Sequence, residues 1–311
     1  MHGVLNMNKP AGMTSHDVVD VVRRILGLQR VGHTGTLDPQ ATGVLPLCVG
    51  RATRIAQFLT QADKEYQMTL RLGITTDTLD AAGRETGRQP VEVSREAVEA
   101  LLPRFVGEIQ QVPPLYSAKK VRGERLYRLA RRGEDVPRDP VKVRVHSLTM
   151  LEFLPPLVRL QVACSKGTYA RTLCDDLGRA LGCGGHLQDL VRIRSGRFTL
   201  ESAVSPEALE ACVREGRLGE ALIPMAEALA HLPAVRLAPE AAARLLHGGA
   251  VAVGMVAQFP GDLPVGSLVR VLGYRRQLLS VAETTVASAD FAACEATRVV
   301  LRPVRVFAGS A

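Results

Sequence analysis

Apolar and polar residues along this chain follow two periods. From Glu65 to Gly73 (EYQMTLRLG) they alternate, which predicts a half-buried strand. Residues 141–154 and 157–163 predict two more strands, broken by Pro155-Pro156, and residues 4–7 and 45–49 predict shorter ones. A helical period runs through Val18, Val19, Val21, Val22, Ile25 and Leu26, opened by the capping residues Thr14-Ser15-His16-Asp17 and closed at Gly27. Residues 52–59 predict a short helix, residues 94–102 a helix stopped by Pro103, and a further helix runs from near Thr168 to Gly182. Residues 123–133 read as a basic amphipathic helix ended by Gly133. It faces Leu126, Leu129 and Ala130 inward and Arg125, Arg128, Arg131 and Arg132 outward. Past a break near residues 224–233 the elements shorten. They comprise a helix at 239–246, a Gly248-Gly249 turn, and strands at 251–253, 267–272, 277–282 and 299–307. That mixture suggests a small barrel. The elements predict an α+β chain with a larger domain over residues 1–230 and a β-barrel domain over 231–311.

One stretch obeys neither period. Residues 30–46 (RVGHTGTLDPQATGVLP) contain three glycines, two prolines and a single carboxylate, Asp38, among apolar neighbours. A carboxylate on a rigid, partly dry loop is either a structural cap or a nucleophile or base. Composition narrows the setting. The chain has 311 residues, is 46% hydrophobic with a mean hydropathy of +0.08, and so can bury a sizeable core. No apolar run is long enough to span a bilayer, and the first residues lack the basic and apolar regions of a secretory signal. Six scattered cysteines without a C-x-x-C pair argue for a reducing compartment, hence the cytoplasm, and against a zinc site. The net charge of +8 points to nucleic acid. Residues 117–145 concentrate it, with ten Lys or Arg against four Asp or Glu. This segment is the expected RNA-facing surface.

Gly32-His33-Thr34-Gly35-Thr36-Leu37-Asp38-Pro39, followed by Ala41-Thr42-Gly43-Val44-Leu45-Pro46, resembles the catalytic motif of the bacterial tRNA pseudouridine-55 synthases, the TruB family. Asn8-Lys9-Pro10-Ala11-Gly12-Met13-Thr14-Ser15, Lys64-Glu65-Tyr66, the stretch around Arg171, and residues 190–200 are similar to further motifs of that family, in order. The resemblance implies a mixed, mainly antiparallel catalytic sheet of the pseudouridine synthase type. Residues 245–251 (LLHGGAV) look like part of a PUA-type RNA-binding domain. By the same resemblance Asp38 is the catalytic aspartate, Arg171 its partner, and Tyr66 the tyrosine that stacks on the target base. Tyr169 and Leu190 line the pocket, and His33 contacts the flipped base or takes its place in the stack. Lys9 supports the loop from behind and counts among the substrate-binding residues, and Lys119, Arg125 and Arg132 grip the RNA.

The implied reaction breaks the C1′–N1 bond of uridine, turns the base and joins C1′ to C5. It involves neither redox change nor phosphoryl transfer, so no cofactor is expected. The acidic stretch at residues 77–83 lacks the ligand spacing of a calcium loop, and no metal site is assigned. The expected partner is the T stem-loop of tRNA, without guide RNA or membrane, and a monomer is the working expectation. Two other readings remain, a guide-RNA-dependent pseudouridine synthase and an RNA-folding module.

Overall fold

The structure is a computed structural model that describes residues 1–307 except Ala118, Arg122, Gly133 and Asp135, with side chains of Lys120, Arg125, Tyr127 and Arg131 also left undescribed. The Gly133 helix stop and the side-chain directions expected of Arg125 and Arg131 therefore lie outside the described residues.

β1 (Gly3–Lys9) leads into α1 (Ser15–Leu26). Thr14 and Asp17 cap that helix reciprocally, the Thr14 hydroxyl accepting from the Asp17 amide at 3.1 Å and the Asp17 carboxylate from the Thr14 amide at 2.8 Å. Gly27 ends it with a left-handed φ of 62°. β2 (Val31–His33), β3 (Thr42–Val49), α2 (Ala56–Thr60) and β4 (Lys64–Leu72) follow. A small hairpin of β5 (Ile74–Thr76) and β6 (Glu85–Arg88) precedes α3 (Arg95–Leu101) and β7 (Gly107–Gln111). Then come β8 (Lys120–Val121), β9 (Glu124–Arg125), α4 (Leu126–Arg131), the long strands β10 (Val141–Leu154) and β11 (Leu157–Cys164), α5 (Ala170–Ala180) and β12 (Gly185–Ser195). β13 (Phe198–Thr199), α6 (Pro206–Arg214) and β14 (Leu222–Ile223) complete this part.

Ten strands form one sheet in the order β14-β1-β3-β12-β4-β11-β10-β7, with β2 added beside β3 and β13 beside β12. Every neighbouring pair is antiparallel except β3 and β12. This is the mixed, mainly antiparallel sheet that the resemblance implied. Alternation along β4 becomes burial of Met68, Leu70 and Leu72 on the face where Leu173, Cys174 and Leu177 of α5 pack. α1 lays Val18, Val19 and Val22 against Leu5, Met7, Leu45 and Leu47.

The C-terminal part forms a second, barrel-like sheet. Its order is Val251–Ala252, Val299–Val306, Leu278–Thr284, Leu268–Leu272, Ala234–Leu237 and Val256–Gln258, with the helix Ala241–Leu246 packed on it. The two sheets meet in one apolar cluster, where Val4 and Val44 of the first, with Ile55 just past β3, join Leu272 and Leu278 of the second and Phe307 just past its last strand.

The structure corrects two of the expected elements. The basic segment does not enter a helix at Gly123. Gly123 sits at φ 87°, the turn of the β8–β9 hairpin, and α4 begins only at Leu126. The helix expected from near Thr168 starts at Ala170, because Tyr169 stays extended as its N-cap. Strands β2, β5, β6 and β13 are too short to show a period, and they exist through their partners.

Candidate active site

Three buried side chains hold the loop that carries Asp38. Ser15, at the start of α1, donates its hydroxyl to the Leu37 carbonyl at 3.1 Å and accepts from the Leu37 amide at 2.8 Å. Lys9, fully buried at the end of β1, donates to the carbonyls of Pro10 at 2.8 Å, Met13 at 2.5 Å and Pro39 at 2.9 Å. Burial pushes its amine down to about 8, so it is still protonated at neutral pH with all three N–H groups engaged. Lys9 therefore fixes the residue after Asp38, and its ammonium is turned into the protein, behind the loop. Arg192 on β12, only 1% exposed, donates to Val44 at 2.6 Å and to Gly35 at 3.1 Å. Its backbone comes so near β3 that a Cβ on Gly43 would stand 2.3 Å from the Arg192 carbonyl oxygen. Gly43 also has a φ of 99°, which favours glycine.

Across this loop stands Arg171, in the first turn of α5. Its Nε lies 2.9 Å from Asp38 Oδ2 and its Nη2 donates to Asp38 Oδ1 at 3.2 Å, a side-on, two-point pair. The Arg171 side chain is 8% exposed and that of Asp38 40%, so the carboxylate is reachable while its partner is covered. Arg171 also donates to the carbonyls of Tyr116 at 2.8 Å and Thr78 at 3.4 Å. A second carboxylate, Asp80, stands 3.7 Å from its Nη1. Asp80 is itself held by the Thr78 hydroxyl at 2.6 Å and the Ala82 amide at 3.1 Å. The acidic stretch at residues 77–83 is thus an Asx-type turn that braces Arg171. Desolvation pushes the Asp38 carboxyl above the ordinary value; Asp80 adds to the rise, and Arg171 and Lys9 oppose it.

The walls come from the sheet. Tyr66 on β4 pairs in register with Arg192 on β12. Burial raises the Tyr66 phenol and keeps it protonated. Leu190 lies two residues before Arg192 on the same face, opposite Met68, and packs on the central core. The buried Gln111 grips Tyr169 at both backbone groups, accepting from its amide at 2.9 Å and donating to its carbonyl at 3.2 Å. Burial raises the Tyr169 phenol too. His33, half-buried, ends β2 opposite Leu47.

The basic segment is less free than its charge implied. Arg132 is forked by Glu124 at 2.7 Å and Glu134 at 2.6 Å, and the two carboxylates raise its pKa. Lys119 donates to the Asp139 carbonyl at 3.2 Å. The Arg125 side chain is outside the described residues. Sequence reasoning missed Ser15, Gln111, Asp80 and Arg192 as parts of the site. Ser15, Asp80 and Arg192 fall inside stretches the sequence had marked, as a helix cap, an acidic turn and a family motif, whereas Gln111 left no signal.

Residues 23–170 match the TruB family pseudouridylate synthase N-terminal domain, and residues 171–230 match the tRNA pseudouridylate synthase B C-terminal domain. This chain belongs to the TruB family. Among similar proteins, the tRNA pseudouridine synthase B of Ralstonia pickettii is 44% identical over 98% of this chain and 94% of its own. That of Syntrophus aciditrophicus is 42% identical over 99% of both, and that of Symbiobacterium thermophilum 51% over 81% of this chain and 83% of its own. Among solved structures, a chain of an H/ACA ribonucleoprotein bound to a substrate RNA containing 2′-deoxyuridine has a TM-score of 0.80 at 28% identity. The match covers 99% of this chain and 85% of that one. A chain of a Cbf5-Nop10-Gar1 complex has a TM-score of 0.79 at 30% identity, covering 98% and 84%. The TruB chain described here therefore has the pseudouridine synthase fold. No helix among the described residues is long and apolar enough to cross a membrane.

Proposed function

We propose that this chain is a stand-alone tRNA pseudouridine synthase that converts uridine 55 of the TΨC loop, with Asp38 as the nucleophile. The observation that carries this reading is the reachable Asp38 carboxylate, oriented at two points by a covered guanidinium in a TruB-family chain. A two-point pair fixes both oxygens and offsets the desolvation that would otherwise favour the neutral acid. The uridine must leave the stack to reach such a group, so the base flips. The C1′–N1 bond then breaks, the uracil turns, C1′ bonds to C5, and the C5 proton leaves. Tyr66 lies on the sheet beside the loop and stacks on the flipped base, with Leu190 and Tyr169 as further walls and His33 at the entrance. The isomerisation asks for no cofactor, and we take the enzyme to be a cytoplasmic monomer.

The test is turnover of an unmodified tRNA transcript by purified protein, with no cofactor and no added RNA, mapped by chemical labelling and primer extension. One modified uridine in the TΨC loop is expected. Asp38→Asn is expected to bind the transcript and yield none; appreciable turnover by that variant would sink the assignment. The H/ACA likeness favours a second reading, dependence on a guide RNA. Modification only when a guide is added would establish it.

A further inference from the structure

A cleft of about 980 Å³ opens at the seam between the two sheets. Arg51 and Arg54, just past β3, line it from one side, and Arg236, Arg270, Arg275 and Arg276 of the C-terminal sheet from the other. Among the described residues Glu227 is the one carboxylate in its lining, and Arg197 already holds it at 3.2 Å. Two of the six guanidiniums tie the seam. Arg54 donates to the Val306 carbonyl at 2.7 Å and lies over the Phe307 ring, and Arg270 donates to the Ala226 carbonyl at 2.5 Å. The others are not so engaged. Arg51, Arg236, Arg275 and Arg276 form no ion pair among the described residues. Guanidiniums gathered in a concave, partly apolar wall, four of them with no ion-pair partner among the described residues, create a field that draws an extended anion.

Two further features point to nucleic acid over a small anion. The turn that presents Arg275 and Arg276 also carries Tyr274, 80% exposed, and an aromatic ring beside arginines offers a base a stacking surface. The positive groups are also spread over both sheets, as a phosphate chain requires. The cleft is separate from the reacting site. The eight residues of β3 lie between the Asp38 loop and Arg51, about 25 Å at the usual rise of a strand. It is also separate from residues 245–251, none of which lines it.

We propose that this cleft binds the phosphate backbone of the substrate RNA outside the T stem-loop, as a second contact that a minimal stem-loop does not make. The proposal rests on the tRNA reading above. Its test compares full-length tRNA with an isolated T stem-loop, using the full-length protein and the double variant Arg275→Gln, Arg276→Gln. Both arginines are exposed on a turn, away from the ties that hold the seam. Filter binding at several salt concentrations and turnover are read separately. Loss of two phosphate contacts is expected to flatten the salt dependence of full-length tRNA binding, lowering its log–log slope by about 2. Binding and turnover of the stem-loop are expected to stay unchanged. An unchanged slope on full-length tRNA overturns the proposal, as does an equal loss on both RNAs. A wild type that turns over neither RNA defeats the tRNA reading. The binding comparison between the two RNAs then still decides the cleft.

Discussion

At the scale of residues, the site depends on how Arg171 shares its N–H groups. Two go to Asp38, and the rest face the Tyr116 and Thr78 carbonyls and Asp80. An ammonium in its place keeps the charge and loses the planar fork. Arg171→Lys is expected to lower kcat at least ~100-fold, the size typical of losing an aligned electrostatic contact, while the fold survives. The same variant has a defined sign in pH. Asp38 must be ionised to attack, so activity falls as pH drops through its pKa. Desolvation already places that pKa above the ordinary carboxylate value, and Arg171 is the main group opposing the rise. With a weaker partner the acid limb of the kcat profile is expected to move further up in pH. A limb that stays in place or moves down would show that Arg171 does not tune Asp38.

At the scale of elements, the loop is positioned by the parallel contact of β3 with β12. Val191 stands opposite Thr42 and Arg192 opposite Gly43, and this contact lets Arg192 reach the carbonyls of Val44 and Gly35. Gly43 makes the approach possible by its positive φ and its missing Cβ. Gly43→Ala adds backbone strain and a clash with backbone atoms that have no free rotamer to escape by. It is expected to cost about 3 kcal/mol or more, seen as a lower urea midpoint, with turnover falling as the loop shifts. The strands and helices with a clear period, such as β4, β10, β11 and α1, were legible in the sequence almost to their ends. The helix expected at residues 123–133 was not, since a period of apolar residues cannot tell a hairpin followed by one turn of helix from a longer helix.

At the scale of the whole molecule, the two sheets share one apolar cluster. Val4 and Val44 of the first, with Ile55 and Phe58 on the turn and helix after β3, pack with Leu272, Leu278 and Val281 of the second and with Phe307 beyond its last strand. Phe307, buried and covered by the Arg54 guanidinium, sits on that seam. Phe307→Ala is expected to destabilise by about 3–5 kcal/mol. Calorimetry of the wild type is expected to show one transition, because neither sheet can lose the other without exposing the shared cluster. Two separate transitions would show that the seam adds little. The same seam forms the arginine cleft, so charges far apart in the chain become neighbours only through this packing.

The sequence alone determined the periodic elements, the α+β class, the loop with its single carboxylate, and a basic surplus that pointed to nucleic acid. These are local properties, set by spacing and residue type, and they are present before the chain folds. The tertiary structure decided which groups meet. It brought Arg171 to Asp38 across 133 positions of chain, a pairing that only the family resemblance had implied, and put Asp80 behind that pair. It engaged Lys9 and Arg192 with the carbonyls of a loop that no periodicity links to them, and it paired Arg132 of the basic segment with Glu124 and Glu134. Such contacts depend on sheet order and on the close approach of β3 to β12, and neither leaves a period in the sequence from which it could be read.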